Sequence, residues 1–256
     1  MGMLPISAAT SLRAKSVFVG FLRCPAGHHR AFTDWHDVDH RPENVAQMRH
    51  MYHSERWVSP PDMLAERHVA PDCPFDDAGH YLHTYWSSAT PHELIHDMIA
   101  VREQLEVLGR CEQINRDFMA VWRDRTSPVF ALSSPVAPGI SIDALPLTRN
   151  AGVVVSLFGA PRRPDEALAR YHSAVVPTVT RLDDVLGVYT LNTSTGAAGN
   201  TDSTRIVVQL CFVRANALGV QQQLGNVERE LGEHPGTCLF RGSYVPSTFA
   251  DPTPYE

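Results

Sequence analysis

The chain repeats itself, and the repeat limits the folds open to it more than any other feature. Ser16-Val-Phe-Val-Gly-Phe-Leu22 is a β-branched and aromatic run that stops at the turn-like cluster Arg23-Cys24-Pro25-Ala26-Gly27. After residue 150, Gly152-Val-Val-Val-Ser-Leu-Phe158 does the same and stops at Gly159-Ala-Pro161. Both read as strands. A helical pattern follows each. The first runs from about His28 to His40, with Ala31, Phe32, Trp35 and Val38 at helical spacing, and Pro42 ends or restarts it. The second opens at Pro164 and carries Ala167, Leu168, Tyr171, Ala174 and Val175 on its buried stripe. Trp35-His36 matches Tyr171-His172, and Pro42 matches Pro177.

The later parts of the two units also match. Second strands are expected at about Met51 to Val58 and Gly187 to Asn192, and third strands at His80 to Trp86 and Ile206 to Phe212. Thr90-Pro91 opens a helix to about Leu108, and Asn216 opens one to about Leu231; Gly109 and Gly232 stand at the stops. Closing strands fall at Phe118 to Trp122 and Cys238 to Tyr244. Each unit is β-α-β-β-α-β. The expected fold is therefore α+β: two tandem ferredoxin-like modules. Residues 1–15 form a short arm, 16–132 the first module, 133–149 a Pro-rich linker and 150–256 the second module. A four-stranded sheet covered by helices on one face leaves the other face bare. Two such sheets facing each other in one chain resolve this, as in a dimeric α/β-barrel. The cleft between the sheets is then the expected ligand pocket.

Composition narrows the function classes. The net charge is −6 and lysine is nearly absent, so neither a nucleic-acid footprint nor a basic membrane patch is expected. No apolar run reaches the roughly 20 residues of a membrane span. Cys24, Cys73, Cys111, Cys211 and Cys238 are odd in number and form no CxxC pair, which fits a reducing, cytoplasmic setting. No P-loop, GxGxxG fingerprint or GxSxG elbow appears in either half.

The two halves differ in chemistry. Of 13 histidines, 11 lie at or before residue 96, and all 4 tryptophans are in the first module. Module one is thus expected to carry the site and module two to close the barrel. His40 is the leading proton-transfer candidate, with Asp37 and Glu43 three residues to either side as orienting carboxylates. Asp39 offers His36 the same service. His36 and His40 also have the i, i+4 spacing of zinc ligands, but His92 and His96 repeat it elsewhere and no HExxH exists, so no metal is expected. In the strand His80 to Trp86, alternation puts Tyr81, His83 and Tyr85 on one face and Leu82, Thr84 and Trp86 on the other. If the first set meets the cleft, His83 and Tyr85 can hydrogen-bond a substrate oxygen; otherwise it meets helices or solvent. Trp35, His36, His83, Tyr85 and Trp86 are the expected substrate-binding residues. The Pro- and Asp-rich segment 59–77 reads as a lid or a surface decoration, with Arg56 and Arg67 available to an anionic substrate.

The run Phe32-Thr-Asp-Trp35-His-Asp-Val-Asp-His40-Arg-Pro42-Glu43 resembles the EthD-like branch of the dimeric α/β-barrel superfamily in its aromatic residue, the His five positions on, and the following Pro. In module two an apolar residue near Val175 replaces His40. The resemblance implies a cytoplasmic small-molecule protein, possible as a homo-oligomer, within a superfamily of monooxygenases, isomerases, cyclases, dehydratases and haem enzymes. The expected activity is cofactor-independent proton transfer (isomerase, dehydratase or other lyase) on an apolar or aromatic oxygenated metabolite. A non-catalytic ligand-binding protein and a cofactor-free monooxygenase are the alternatives.

Overall fold

Eight strands close into one barrel, and their inward-facing apolar side chains fill it. The computed structural model describes residues 14–22, 24, 27–73, 79–110, 118–124, 142–159, 164–193 and 206–247; of 118–124 it describes only the backbone. The arm at 1–13 and the first part of the linker, 133–141, lie outside the described residues. Module one runs β1 (Ser16–Leu22), α1 (His29–Asp34), a π-helical segment (Trp35–His40), α2 (Arg41–Gln47), β2 (Met51–Val58), α3 (Pro61–Ala65), β3 (His68–Val69), β4 (Tyr81–Ser87), α4 (Pro91–Val107) and β5 (Phe118–Asp124). Module two runs β6 (Gly152–Gly159), α5 (Pro164–Ala174), α6 (Val176–Val179), β7 (Val185–Thr193), β8 (Ile206–Val213), α7 (Ala217–Leu231) and β9 (Thr237–Pro246). The architecture is mixed α+β, and every strand pairing is antiparallel.

Local chemistry sets the helix ends. Thr90 accepts from the Glu93 amide while Glu93 reaches back to the Thr90 amide, a reciprocal cap. Asn216 accepts from the Gly219 amide at the start of α7, and Gly232, at φ +63°, takes the left-handed turn that ends it.

The sheet order is β2-β4-β1-β5-β7-β8-β6-β9-β3, and β2 also pairs with β9, which closes eight strands on themselves. The two seams between modules are short: Trp57 with Pro246 and Val58 with Val245 on one side, Arg123 with Thr193 and Asp124 with Asn192 on the other.

The interior of this barrel is not a cleft. Val17, Val19, Phe21, Trp57, Leu82 and Trp86 of module one interlock with Val153, Tyr189, Val208, Phe212, Phe240 and Tyr244 of module two. Trp86 lies 4.8 Å from the Tyr189 ring and 6.0 Å from Phe212, centroid to centroid. Leu145, from a 3-10 turn at Ile142–Leu147 just before β6, joins the same core. The inter-sheet space expected to hold a ligand is thus filled with side chains.

Two further expectations are resolved. The helix after β1 restarts at Pro42 rather than ending there: α2 opens at Arg41 with Pro42 in its first turn and runs to Gln47. The 59–73 part of the insertion is a strap across to module two. His68–Val69 pairs with Arg241 and Phe240 of β9, and Gln221 of α7 donates to the Glu66 carbonyl at 2.6 Å. Arg67 stacks over Phe240 and Tyr244 and donates to the Gly79 carbonyl, which leaves it a packing role.

Candidate functional site beneath the first helix

The polar side chains of module one gather on the helix-covered side of its sheet. Strand register explains which ones meet. Arg56 lies opposite His83, and His83 opposite Gly20, so Arg56, His83 and Gly20 form a row across β2, β4 and β1. Tyr81 and Tyr85 flank His83 along β4 on the same side. The Tyr81-His83-Tyr85 face therefore meets the helices, and Trp86 points into the barrel on the opposite face, away from them.

The helix above supplies the other half. In the segment Trp35–His40 hydrogen bonds skip five residues; the Arg41 amide, for example, donates to the His36 carbonyl. Such π segments are uncommon and recur at functional sites. Here the segment turns His36 and Asp37 down onto the sheet, where both are buried.

Asp37 is the hub. Arg56 Nε donates to Asp37 Oδ1 at 2.9 Å and Nη2 donates to Oδ2 at 2.6 Å, a bidentate pair. Arg56 Nη1 donates to Thr33 Oγ1 at 3.3 Å, and the guanidinium lies 4.7 Å from the Tyr81 ring and 5.6 Å from Phe32. His36 Nδ1 is 3.0 Å from Asp37 Oδ1. An ionised carboxylate only accepts, so we assign the His36 proton to Nδ1. His36 Nε2 is then an acceptor, 3.4 Å from the Tyr85 hydroxyl. The His83 ring lies 3.9 Å from the His36 ring. Burial, followed by the nearby His36 and Arg56, holds the His83 pKa well below 6.5, so that ring is neutral at neutral pH. His83 Nε2 is buried with no hydrogen-bond partner among the described residues. Further along, His29 Nδ1 meets the Tyr81 hydroxyl at 2.8 Å, and burial lowers the His29 pKa to about 4.

Nearer the surface, His40 stacks on Trp35 at 4.4 Å and 18°, and its Nε2 accepts from Asn44 Nδ2 at 3.0 Å. Neither expected carboxylate orients it: Asp37 serves His36, and Glu43 is held by Arg110 at 2.8 Å and Gln47 at 3.1 Å. Asp39 does not reach His36, because Arg110 takes it as well. The His36 and His40 rings are 6.0 Å apart, and no set of three His, Cys, Asp or Glu side chains gathers as a metal cage among the described residues.

The structure thus brings His36, Asp37, His83 and Tyr85 together, leaves Trp35, His40 and Glu43 at the rim, and separates Trp86. Sequence reading missed Arg56 as the partner of Asp37, and missed Tyr81, Thr33 and His29. The available signal was an arginine in mid-strand, on the same face of β2 as the small Ser54.

No family model matches the chain, and no curated protein matches it. Among solved structures it is similar to an anthrone oxidase-like protein, with a TM-score of 0.50 and 10% identity over 93% of both chains. It is also similar to a Fusobacterium nucleatum subsp. nucleatum protein that bears a provisional monooxygenase name, with a TM-score of 0.52 and 8% identity over 92% of this chain and 94% of that one. At that identity the shared property is the fold, that of the dimeric α/β-barrel proteins.

Proposed function

We propose that this chain is a small-molecule enzyme that moves a proton on an oxygenated, apolar or aromatic metabolite. His36 is the general base or acid, Asp37 orients it, and His83 and Tyr85 hydrogen-bond the substrate oxygen. One observation carries the reading: a buried imidazole is fixed through Nδ1 by a carboxylate, leaving Nε2 directed at Tyr85 beside a neutral His83 whose Nε2 has no hydrogen bond among the described residues. An imidazole held in this way can take a proton at Nε2 and return it, which serves an isomerase, dehydratase or other lyase of EthD-like type. In this reading the base is His36, with His40 and Trp35 forming a stacked rim beside it and Glu43 braced outside. No cofactor enters the scheme.

A second reading shares the first step. Deprotonation of a phenol or an enolisable ketone also opens cofactor-free oxygenation, and the names of the two structural neighbours favour testing for it. The test uses the full chain with a panel of enolisable aromatic ketones and phenols, anthrone among them. Carbon–hydrogen exchange is followed by NMR in D2O, with an oxygen electrode alongside. The expected result is exchange on at least one compound, lowered on the order of 10²–10⁴-fold in His36→Ala. Oxygen uptake at the same rate marks the oxygenase reading. Binding without exchange or oxygen uptake leaves only a ligand-binding protein and overturns the enzyme.

A further inference from the structure

We infer that Arg56 is a positioning residue that keeps His36 an unprotonated base, by holding both oxygens of Asp37 and cancelling the pull of that carboxylate on the imidazole proton. The inference rests on the role proposed for His36 and says what governs its charge.

A carboxylate alone beside an imidazole favours the charged ring, which weakens it as a base near neutral pH. Here His36 Nδ1 and Arg56 Nε share one oxygen, Asp37 Oδ1, at 3.0 and 2.9 Å, and Arg56 Nη2 takes the other. The guanidinium does not deprotonate, and its side chain and that of Asp37 are 2% and 4% exposed, so solvent screens the pair little. Among the described residues, the other groups in contact with His36 are neutral or positive. His40 and Arg41 come from its own helix, with Arg41 Nε 3.9 Å from Asp37 Oδ1. Neutral His83 and the Tyr85 hydroxyl come from β4. Ser247, beyond β9, meets Asp37 Oδ2 at 3.4 Å. Of the nearby carboxylates, Glu55 lies 3.9 Å from Arg41, and Asp39 and Glu43 are on Arg110. Protonating His36 would add a third positive charge to the two, Arg56 and Arg41, that already face Asp37. Arginine suits the task because its fork spans both oxygens while its flat faces rest on Tyr81 and Phe32.

An arginine that merely props the helix would not move the titration of His36, and that difference is measurable without a substrate. The His36 ring signal is titrated by NMR in the wild type, Arg56→Met, Arg56→Gln and Arg56→Lys. Loss of the charge is expected to raise the midpoint by about one pH unit or more, while Lys holds it near the wild-type value. Asp37→Asn moves it down. The acid limb of kcat/KM on any panel substrate follows the same order. Should Arg56→Met not fold, Arg56→Gln, which retains a donor, reads the same shift. A folded Arg56→Met or Arg56→Gln protein whose His36 midpoint is unchanged or lower overturns the inference. A shifted midpoint in a protein with no turnover on the panel instead sinks the proposed activity and leaves the electrostatic role standing. Turnover that depends on His36, with no shift, does the reverse.

Discussion

Both modules bury an arginine–carboxylate pair on the helix side of their sheets, but they build it from different elements. In module one the arginine is on the second strand and the acid on the first helix, next to His36. In module two Arg241, on the last strand, meets Glu228 of α7 at 2.7 Å and Ser156 at 2.9 Å. The row Arg56, His83, Gly20 becomes Thr190, Gln209, Ser156, with Arg241 at the far end. From Glu228 the network runs to the Tyr171 hydroxyl and on to Gln209. Burial and Glu228 hold the Tyr171 pKa well above 10, and an amide does not titrate. The module-two chain thus ends in groups that keep their protons at any physiological pH, whereas the module-one chain ends in imidazoles. The two networks thus share an arginine–carboxylate pair and differ in whether imidazoles stand beside it.

The sharpest break of that contrast is functional. His36→Ala is expected to lower turnover on the order of 10²–10⁴-fold, while His172→Ala and Tyr171→Phe leave it within a few-fold. Steady-state rates and melts on the same samples separate the two, and equal losses in His172→Ala would erase the asymmetry. Next comes stability. Glu228→Ala strands the Arg241 charge in the interior and should cost about 3–5 kcal/mol in denaturant unfolding. A Glu228→Met, Arg241→Leu double change should recover most of that loss, as expected if the pair serves packing rather than chemistry.

A smaller difference tests the two sheets themselves. At Gly152 a Cβ would meet the Tyr244 carbonyl oxygen at 2.7 Å and Ala217 Cβ at 2.9 Å, both rigid; at Gly20 it meets only the Phe18 ring, at 2.9 Å. Gly152→Ala should cost about 1–3 kcal/mol, and Gly20→Ala less, because a ring can turn aside. Equal denaturation midpoints for the two variants would show that the module-two wall yields as easily.

The mildest effect is on pH. Burial holds His29 and His53 of module one, and His172 of module two, at about 4, below the ordinary 6.5. A histidine with a depressed folded pKa stabilises the fold above its unfolded value, and that stability is lost as pH falls from about 6.5 toward 4. Urea midpoints should therefore drop between pH 7 and pH 5. Replacing His53 with Gln should flatten the drop, and so should replacing His172. A midpoint that rises on acidification would reverse the sign and discard the assignment.

Much of this architecture was legible in the residues because it rests on local rules. β2 falls at Met51–Val58, where the repeat places a second strand, and Thr90 and Asn216 cap their helices through side chains whose chemistry is fixed by type. What was not legible depends on partners distant in sequence. Alternation along β4 separates Tyr81, His83 and Tyr85 from Trp86, but only the opposing module decides which set is inside the barrel. The i, i+4 and i, i+3 spacings around His40 presumed an α-helix; the π segment changes which side chains descend, so Asp37 found His36 and a strand arginine 19 residues away. The strap read only as a lid or a surface decoration because its partner, the edge of β9, belongs to the other half.

That strap also has a mechanical meaning. Each seam between the modules is held by two residue pairs, and among the described residues the β2–β9 seam alone is bolted from outside, by β3, with the Ala70 amide donating to the Leu239 carbonyl. The shell is therefore lopsided in strength, with a hinge on one side and a clasp on the other. When it opens it parts between β5 and β7, so solvent deuterium should enter that seam before any other strand. Two modules in one chain thus make a container with a preferred way of opening.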